Sequence, residues 1–368
     1  MKKKLLIFHP TIAPYRIDFF NSLFEAFDTR ICLLYHNLKS QHFDYEKITG
    51  QFNFVPVYLS EITKIGRRVV YGGYWKQIKD FQPDIVIVGE FSLGVILVLL
   101  YKYLTLEKFK VVSICDDNYN MVVENHDFSK AHRLARKILV PMLDDIILVE
   151  PQIVEWYQEQ YHKGFLFPII KNEEKAREMY NRLMPLSQRT KAEIGLNGKK
   201  VFLFVGRLVN LKNVKTLIEA FAKIDQTKNT LVIIGEGPEL KSLVEQASIL
   251  KAQVIFTGRL EGDGLNQWYN IADCFILPSC LEPFGAVTNE ALLAGCWCLV
   301  SNKAGSRCLI EENKNGYTFD PMNVDELAEK MNKSIVILSK EKSFPRKSRM
   351  LESYDGSMIK LIRHLKEI

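Results

Sequence analysis

Short apolar runs alternate with amphipathic segments along the whole chain, and the alternation is interrupted once. In the first half the runs fall at 5–8, 31–35, 85–88, 111–114 and 146–149. Their length and bounding polar residues suit buried strands. The segments between them, 15–27, 74–81, 92–106, 129–139 and 151–161, carry the apolar spacing of helices. Pro14 and Pro151 stand where a first helical turn accepts proline. From 168 to 198 the pattern fails. Residues 171–180 are charged, show no clean apolar face, and read as an interdomain linker. The runs restart at 201–205, 230–234, 254–256, 274–277 and 298–300. Helices are expected over 214–224, 239–250, 265–271, 286–294, 325–337 and 358–368. Strands alternating with helices predict parallel sheets. The expected fold class is α/β, with two doubly wound Rossmann-like domains facing a cleft, residues 1–170 and 199–351. The intervening 171–198 joins them, and a terminal helix near 352–368 is expected to pack back on the first.

Polar and glycine-rich residues recur where the second set of strands ends. There the ligands of such sheets bind. Gly206-Arg207-Leu208 and Lys212 follow the first of these runs. Arginine offers a fork and lysine a point charge, a combination suited to a diphosphate. Gly235-Glu236-Gly237-Pro238 ends the second run, and its glycines let a ligand approach the backbone. Gly258-Arg259-Leu260 ends the third. The run at 274–277 leads into Pro278-Ser279-Cys280-Leu281-Glu282-Pro283-Phe284-Gly285-Ala286-Val287-Thr288-Asn289-Glu290-Ala291. A tight loop before a helix presents free N–H groups and the positive end of a dipole, which suits phosphate. Glu282 lies in that loop and Glu290 about two turns into the expected helix. Both could accept hydrogen bonds from sugar or ribose hydroxyls. Each loop by itself reads as readily as solvated surface; four aimed at one crevice are harder to dismiss.

As a set these residues resemble the nucleotide-sugar domain of retaining GT-B glycosyltransferases of the family-four type. The likeness covers about 200–320 and includes the Glu-x7-Glu motif, Glu282 to Glu290, and Ala304-Gly305-Ser306. The first half is similar only in architecture and in Ala13-Pro14-Tyr15-Arg16. The resemblance implies that Arg207 and Lys212 hold the donor diphosphate and that Glu290 binds the ribose. It implies that Glu282 binds the sugar, with backbone groups of Phe284, Gly285, Ala286 and Val287 beside it. Gly206 and Gly235 would line the same site, and Gly258, Arg259 and Leu260 would flank the base. Many members carry a histidine after a strand of the first domain. Here the matching stretch is Val111 to Tyr119, where Asp116 could take that place or could cap the following turn, as could Asp117. His126-Asp127 and His9 are further candidates. The implied activity is transfer of a hexosyl unit from a nucleotide sugar to an acceptor hydroxyl with retention. A UDP-sugar is favoured and GDP-mannose stays open. The acceptor would be a glycan or lipid-linked molecule of surface polysaccharide or lipopolysaccharide assembly. A GT-B nucleotide-sugar epimerase and a non-catalytic sugar-nucleotide-binding protein are the rival readings.

Charge and composition narrow the partners. A net charge of +6 on 368 residues permits an anionic substrate or membrane surface but is too weak to argue for nucleic acid. Seven cysteines without a C-x-x-C pair read as reduced core residues of a cytoplasmic protein. The chain holds no Asp-x-Asp, so no metal and no other cofactor is expected, the two cations standing in for a divalent ion. No G-x-G-x-x-G follows a strand, which argues against a dinucleotide dehydrogenase. The apolar start after Lys2-Lys3-Lys4 is too short for a signal peptide, and 91–106 falls short of the ~20 residues of a membrane span. Lys64, Arg67, Arg68, Lys130, Arg133, Arg136 and Lys137, with the apolar 95–100, suggest peripheral contact with the inner membrane surface.

Overall fold

The computed structural model describes residues 2–36, 45–65, 68–125, 129–340 and 346–368. The chain divides into two compact units, Met1–Lys171 with Tyr354–Ile368, and Asn172–Ser353.

In the first unit the strands are β1 (Lys4–His9), β2 (Asp28–Leu33), β3 (Val57–Tyr58), β4 (Glu61–Ile65), β5 (Arg68–Tyr71), β6 (Ile85–Gly89), β7 (Lys110–Cys115), β8 (Asp145–Leu148) and β9 (Phe165–Leu166). The helices are α1 (Ile17–Ala26), α2 (Tyr45–Thr49), α3 (Tyr74–Phe81), α4 (Leu93–Thr105), α5 (Lys130–Leu139) and α6 (Pro151–Tyr161). Seven strands form a parallel sheet in the order β3-β2-β1-β6-β7-β8-β9, and β4–β5 make a separate hairpin. Every residue of β6 is buried. A central parallel strand is covered on both faces, so it reads as one apolar run. The order sets the carboxyl ends of β1, β6 and β7 side by side. The terminal helix α13 (Tyr354–Glu367) belongs to this unit. His364 Nε2 lies 2.6 Å from Asp145 Oδ2, and its ring stacks on Phe165 at 4.3 Å.

The second unit begins with a helix where a linker was expected. The 21-residue α7 (Glu173–Glu193) starts at Asn172, whose side chain accepts from the Lys175 N–H at 3.0 Å. Ala176, Tyr180 and Leu183 form a narrow stripe that is buried, and the charged residues around it mask that stripe in the sequence. The strands are β10 (Lys200–Val205), β11 (Asn229–Ile234), β12 (Val254–Gly258), β13 (Cys274–Leu277), β14 (Trp297–Ser301) and β15 (Gly316–Phe319). They pair in parallel in the order β12-β11-β10-β13-β14-β15. The covering helices are α8 (Val214–Ala222), α9 (Leu240–Ile249), α10 (Gly262–Ile271), α11 (Val287–Leu293) and α12 (Val324–Ser339). Two buried clusters, one on each face, sandwich this sheet. The loops singled out in the sequence therefore follow the carboxyl ends of neighbouring strands.

Candidate active site

In the second unit, backbone hydrogen bonds tie the strand-end loops to one another. Gly206 donates to Ile234 O at 3.0 Å, Leu208 to Glu236 O at 2.8 Å, and Gly235 to Gly258 O at 2.9 Å. Gly235 has a φ of +149, and a Cβ there would stand 1.8 Å from the Gly206 carbonyl oxygen. Only glycine allows the turns after β10 and β11 to approach so closely. Arg207 projects from this arrangement into solvent, and its guanidinium takes no partner among the described residues. Leu260 is half-buried beside the Gly258 turn, while Arg259 is turned to Glu261 (Nε to Oε1, 2.9 Å) and is not a free donor.

The loop after β13 is held on both sides. Cys280 N–H donates to Leu211 O at 2.9 Å, which fixes the loop to the short turn carrying Lys212. Gly305 donates to Glu282 O at 3.1 Å and Ser306 to Phe284 O at 2.7 Å, so the loop after β14 braces it. Phe284 is buried as a whole residue, while Gly285, Ala286 and Val287 are half-buried and keep some surface on the loop. Gly285 has a φ of +93, and a Cβ there would meet Leu277 at 2.6 Å. Lys212 Nζ is hydrogen-bonded to Glu282 Oε2, and Ser279 Oγ donates to the same oxygen at 3.3 Å. The two residues expected to bind diphosphate and sugar are thus paired with each other.

Glu290 stands in the first turn of α11 rather than two turns in, because the helix starts at Val287 and runs only seven residues. Its Oε2 accepts from Tyr269 Oη at 3.0 Å, and its backbone oxygen accepts from Tyr180 Oη at 3.0 Å. Both tyrosines are buried, and burial first, then Glu290, raises both phenols well above their ordinary range. They stay protonated and donate. Tyr269 on α10 therefore orients the carboxylate, and Tyr180 on α7 holds the backbone that carries it.

In the first unit the two adjacent aspartates after β7 differ. The Asp117 side chain is 5% exposed and lies 3.2 Å from Tyr157 Oη, 3.4 Å from His132 Nε2 and 3.7 Å from Arg136 Nη1. Asn118, not either aspartate, caps the next turn by accepting from Met121 N–H at 2.9 Å. Asp116 is 37% exposed and pairs with Arg16, whose side chain is 6% exposed. His9 Nδ1 lies 2.6 Å from Thr11 O, and since a carbonyl only accepts, Nδ1 carries the proton. Burial, then Arg16, lowers the His9 pKa to about 4. Glu90 ends the β6 turn with a φ of +47, a strained position for glutamate. It has solvent access, yet the protein packed around it, then Asp116 and Asp117, push its carboxyl up to about 7. His126, Asp127 and Arg67 lie outside the described residues.

Residues 187–348 match the family glycosyl transferases group 1. An uncharacterized glycosyltransferase of Methanocaldococcus jannaschii is 33% identical over 42% of this chain and 44% of its own length. A GDP-mannose-dependent alpha-mannosyltransferase of Corynebacterium glutamicum is 35% identical over 35% of this chain and 29% of its own. The chain spans less than half the length of these curated relatives. Across 100% of both chains it superposes on Anabaena HepE in complex with UDP, with a TM-score of 0.76 at 16% identity. The same protein in complex with UDP-glucose gives 0.70. The fold is that of the GT-B glycosyltransferases. All the donor residues named above fall inside the glycosyl transferases group 1 match.

Sequence reading missed Arg16 as the partner of Asp116, Tyr269 and Tyr180 as the holders of Glu290, and Glu90 altogether. For Glu90 a signal was present, a charged residue directly after a wholly apolar run. For the tyrosines there was none, since their hydroxyls meet Glu290 only in the folded unit.

Proposed function

We propose that this chain is a retaining GT-B hexosyltransferase, moving a sugar from a nucleoside diphosphate, UDP being favoured, to an acceptor hydroxyl in surface polysaccharide or lipopolysaccharide assembly. The observation that carries the reading is the trio Arg207, Lys212 and Glu282 at the carboxyl ends of β10 and β13. Arg207 is an exposed cation with no partner among the described residues, and Lys212 is held against Glu282. An arriving diphosphate competes for Lys212, which releases Glu282 to accept hydrogen bonds from sugar hydroxyls. As the glycosidic bond to phosphate breaks, charge grows on the leaving oxygen. Two fixed cations stabilise that charge more than the ground state, so they lower the barrier. Glu290, oriented by Tyr269, accepts from the ribose hydroxyls. The lack of Asp-x-Asp and the presence of two cations support metal-independent transfer. HepE is solved with UDP and with UDP-glucose, which supports a uridine donor. We place the enzyme on the cytoplasmic side, in peripheral contact with the inner membrane through its first unit.

The test is nucleotide release from UDP-glucose, UDP-galactose, UDP-N-acetylglucosamine and GDP-mannose in excess EDTA. One of them should be turned over. Arg207→Ala and Lys212→Ala should each lose about 100-fold or more, comparable to one oxyanion-hole donor. No release from any donor, or near-normal rates in both variants, would sink the reading. Activity lost on chelation and restored by magnesium would overturn its metal-independent part.

A further inference from the structure

The carboxyl ends of β1, β6 and β7 carry a second set of groups, all in the first unit and none in the donor machinery. Three features define it. First, it is an edge of hydrogen-bond acceptors. His9 uses its only N–H on Thr11 O, so Nε2 presents a lone pair, and it takes no partner among the described residues. Asp116 and Glu90 add carboxylate oxygens. Second, the charges are unequally satisfied. Asp117 is buried against Arg136, His132 and Tyr157, and the more exposed Asp116 pairs with Arg16. No group among the described residues donates to the Glu90 carboxylate. Arg16 Nη1 is buried and also takes no hydrogen bond among the described residues. Third, Glu90 is held in place. Its N–H donates to Ile114 O at 2.7 Å, and its carbonyl accepts from Ser113 Oγ at 2.9 Å, which maintains a φ of +47. Strain kept in this way is a mark of function.

Resting on the glycosyl-transfer reading, we propose that Glu90, with Asp116 and His9 beside it, is the seat for a neutral or amine-bearing acceptor glycan. A ligand that offers hydroxyl or ammonium donors completes this edge. A ligand that brings a carboxylate or phosphate meets acceptors and an unneutralised carboxylate, while the Arg16 guanidinium is buried and paired with Asp116 through Nη2. Unlike charges favour the ammonium and like charges disfavour the acid. The groups acting on Glu90 are Arg16 on the β1 side, Tyr35 after β2, Asp116 and Asp117 after β7, and His132 on α5. Desolvation first, then Asp116 and Asp117, raise its pKa to about 7 against the opposing pull of His132 and Arg16, so the seat becomes fully anionic only above neutrality.

The experiment uses the full chain, whichever donor it turns over, and three acceptor probes: octyl glucoside, octyl glucosaminide and octyl glucuronide. Wild type should use the first two at least ~10-fold better than the third, with the glucosaminide KM falling between pH 6 and 8. Glu90→Gln should raise the acceptor KM about 10-fold or more and flatten that pH dependence, while the UDP Kd stays within ~2-fold as the check on folding. Glu90→Lys should invert the preference toward the glucuronide. An unchanged acceptor KM in Glu90→Gln overturns the proposal, as does wild-type use of the glucuronide alone or of none of the probes while UDP still binds. Failure to bind UDP at all would instead strike the donor reading, and this seat with it.

Discussion

At the scale of single residues, the two aspartates after β7 show how neighbours in sequence come to opposite ends. Successive side chains leaving a strand point to opposite sides. Asp117 turns inward to Tyr157 and Arg136, and Asp116 turns outward to Arg16. The consequences separate cleanly. Asp117→Asn removes a buried charge from against Arg136, which costs about 3–5 kcal/mol for a pair broken on one side. Asp116→Asn leaves the network around Asp117 alone, weakens the pair with buried Arg16, and removes a carboxylate that can orient the acceptor or oppose positive charge on the reacting sugar. It should lower kcat at least ~10-fold with the nucleotide Kd within ~3-fold, since a transition-state interaction spares ground-state binding. Melting curves and steady-state rates on both variants check this. A melting temperature unchanged in Asp117→Asn, or full activity in Asp116→Asn, would undo the division of roles. The sequence named both aspartates but could not choose between them, because the choice is made by Tyr157 forty positions on and Arg136 on α5.

At the scale of elements, α4 and α5 leave apolar side chains in solvent that packing within the unit does not use. On α5, Leu134 and Ile138 are 58% and 54% exposed among exposed Lys130, Arg133 and Lys137. Arg136, counted in the sequence as part of a basic cluster, is buried against Asp117 and Trp156, so it belongs to the fold and not to the surface. Leu100, Tyr103 and Leu104 of α4 are exposed as well. No described helix is long and apolar enough to cross a membrane. A helix with basic residues around an apolar stripe lies in the interface instead. Each cation near an anionic surface contributes about 1 kcal/mol, so three would give a weak, salt-dependent attachment. In flotation with vesicles rich in phosphatidylglycerol, the protein should rise at low salt and not at 0.5 M salt. Replacing Lys130, Arg133 and Lys137 with glutamate should abolish it. No flotation of the wild type at low salt would end the idea. The periodicity gave α3 and α6 to the residue, because each bears one clear apolar face. It failed at α7, where Ala176, Tyr180 and Leu183 are too few buried apolar side chains on a charged helix to stand out, and at the two-residue β3 and β9, which are too short to show a period.

For each folded unit as a whole, the carboxyl edge of the first sheet carries two groups whose titration pulls stability in opposite directions. His9 is neutral in the folded chain down to about pH 4, whereas in the unfolded chain it takes a proton near 6.5. Between those values the unfolded state binds more protons, so stability falls as pH drops through that window and is unaffected above it. The limit of the effect is about 3 kcal/mol at roughly 1.4 kcal/mol per unit. Glu90 has the reverse sign. Its carboxyl is 4.5 unfolded and about 7 folded, so the folded state binds more protons in between, and stability falls as pH rises through 4.5 to 7. Solvent access screens Glu90 and makes its slope the shallower of the two. Acid sensitivity from His9 should therefore dominate. Wild type should melt at a lower temperature at pH 5 than at pH 7.5. His9→Asn, which places an amide nitrogen near the Nδ1 position to donate to Thr11 O, should shrink that difference or reverse it, uncovering the Glu90 slope. A drop between pH 7.5 and 5 as large in His9→Asn as in wild type would show that the acid sensitivity comes from elsewhere, with the imidazole titrating alike in the folded and unfolded chain. In that case Nε2 would take a proton near 6.5 and donate below it, and the acceptor-only edge that selects hydroxyl and ammonium groups would lose one of its three members in mild acid.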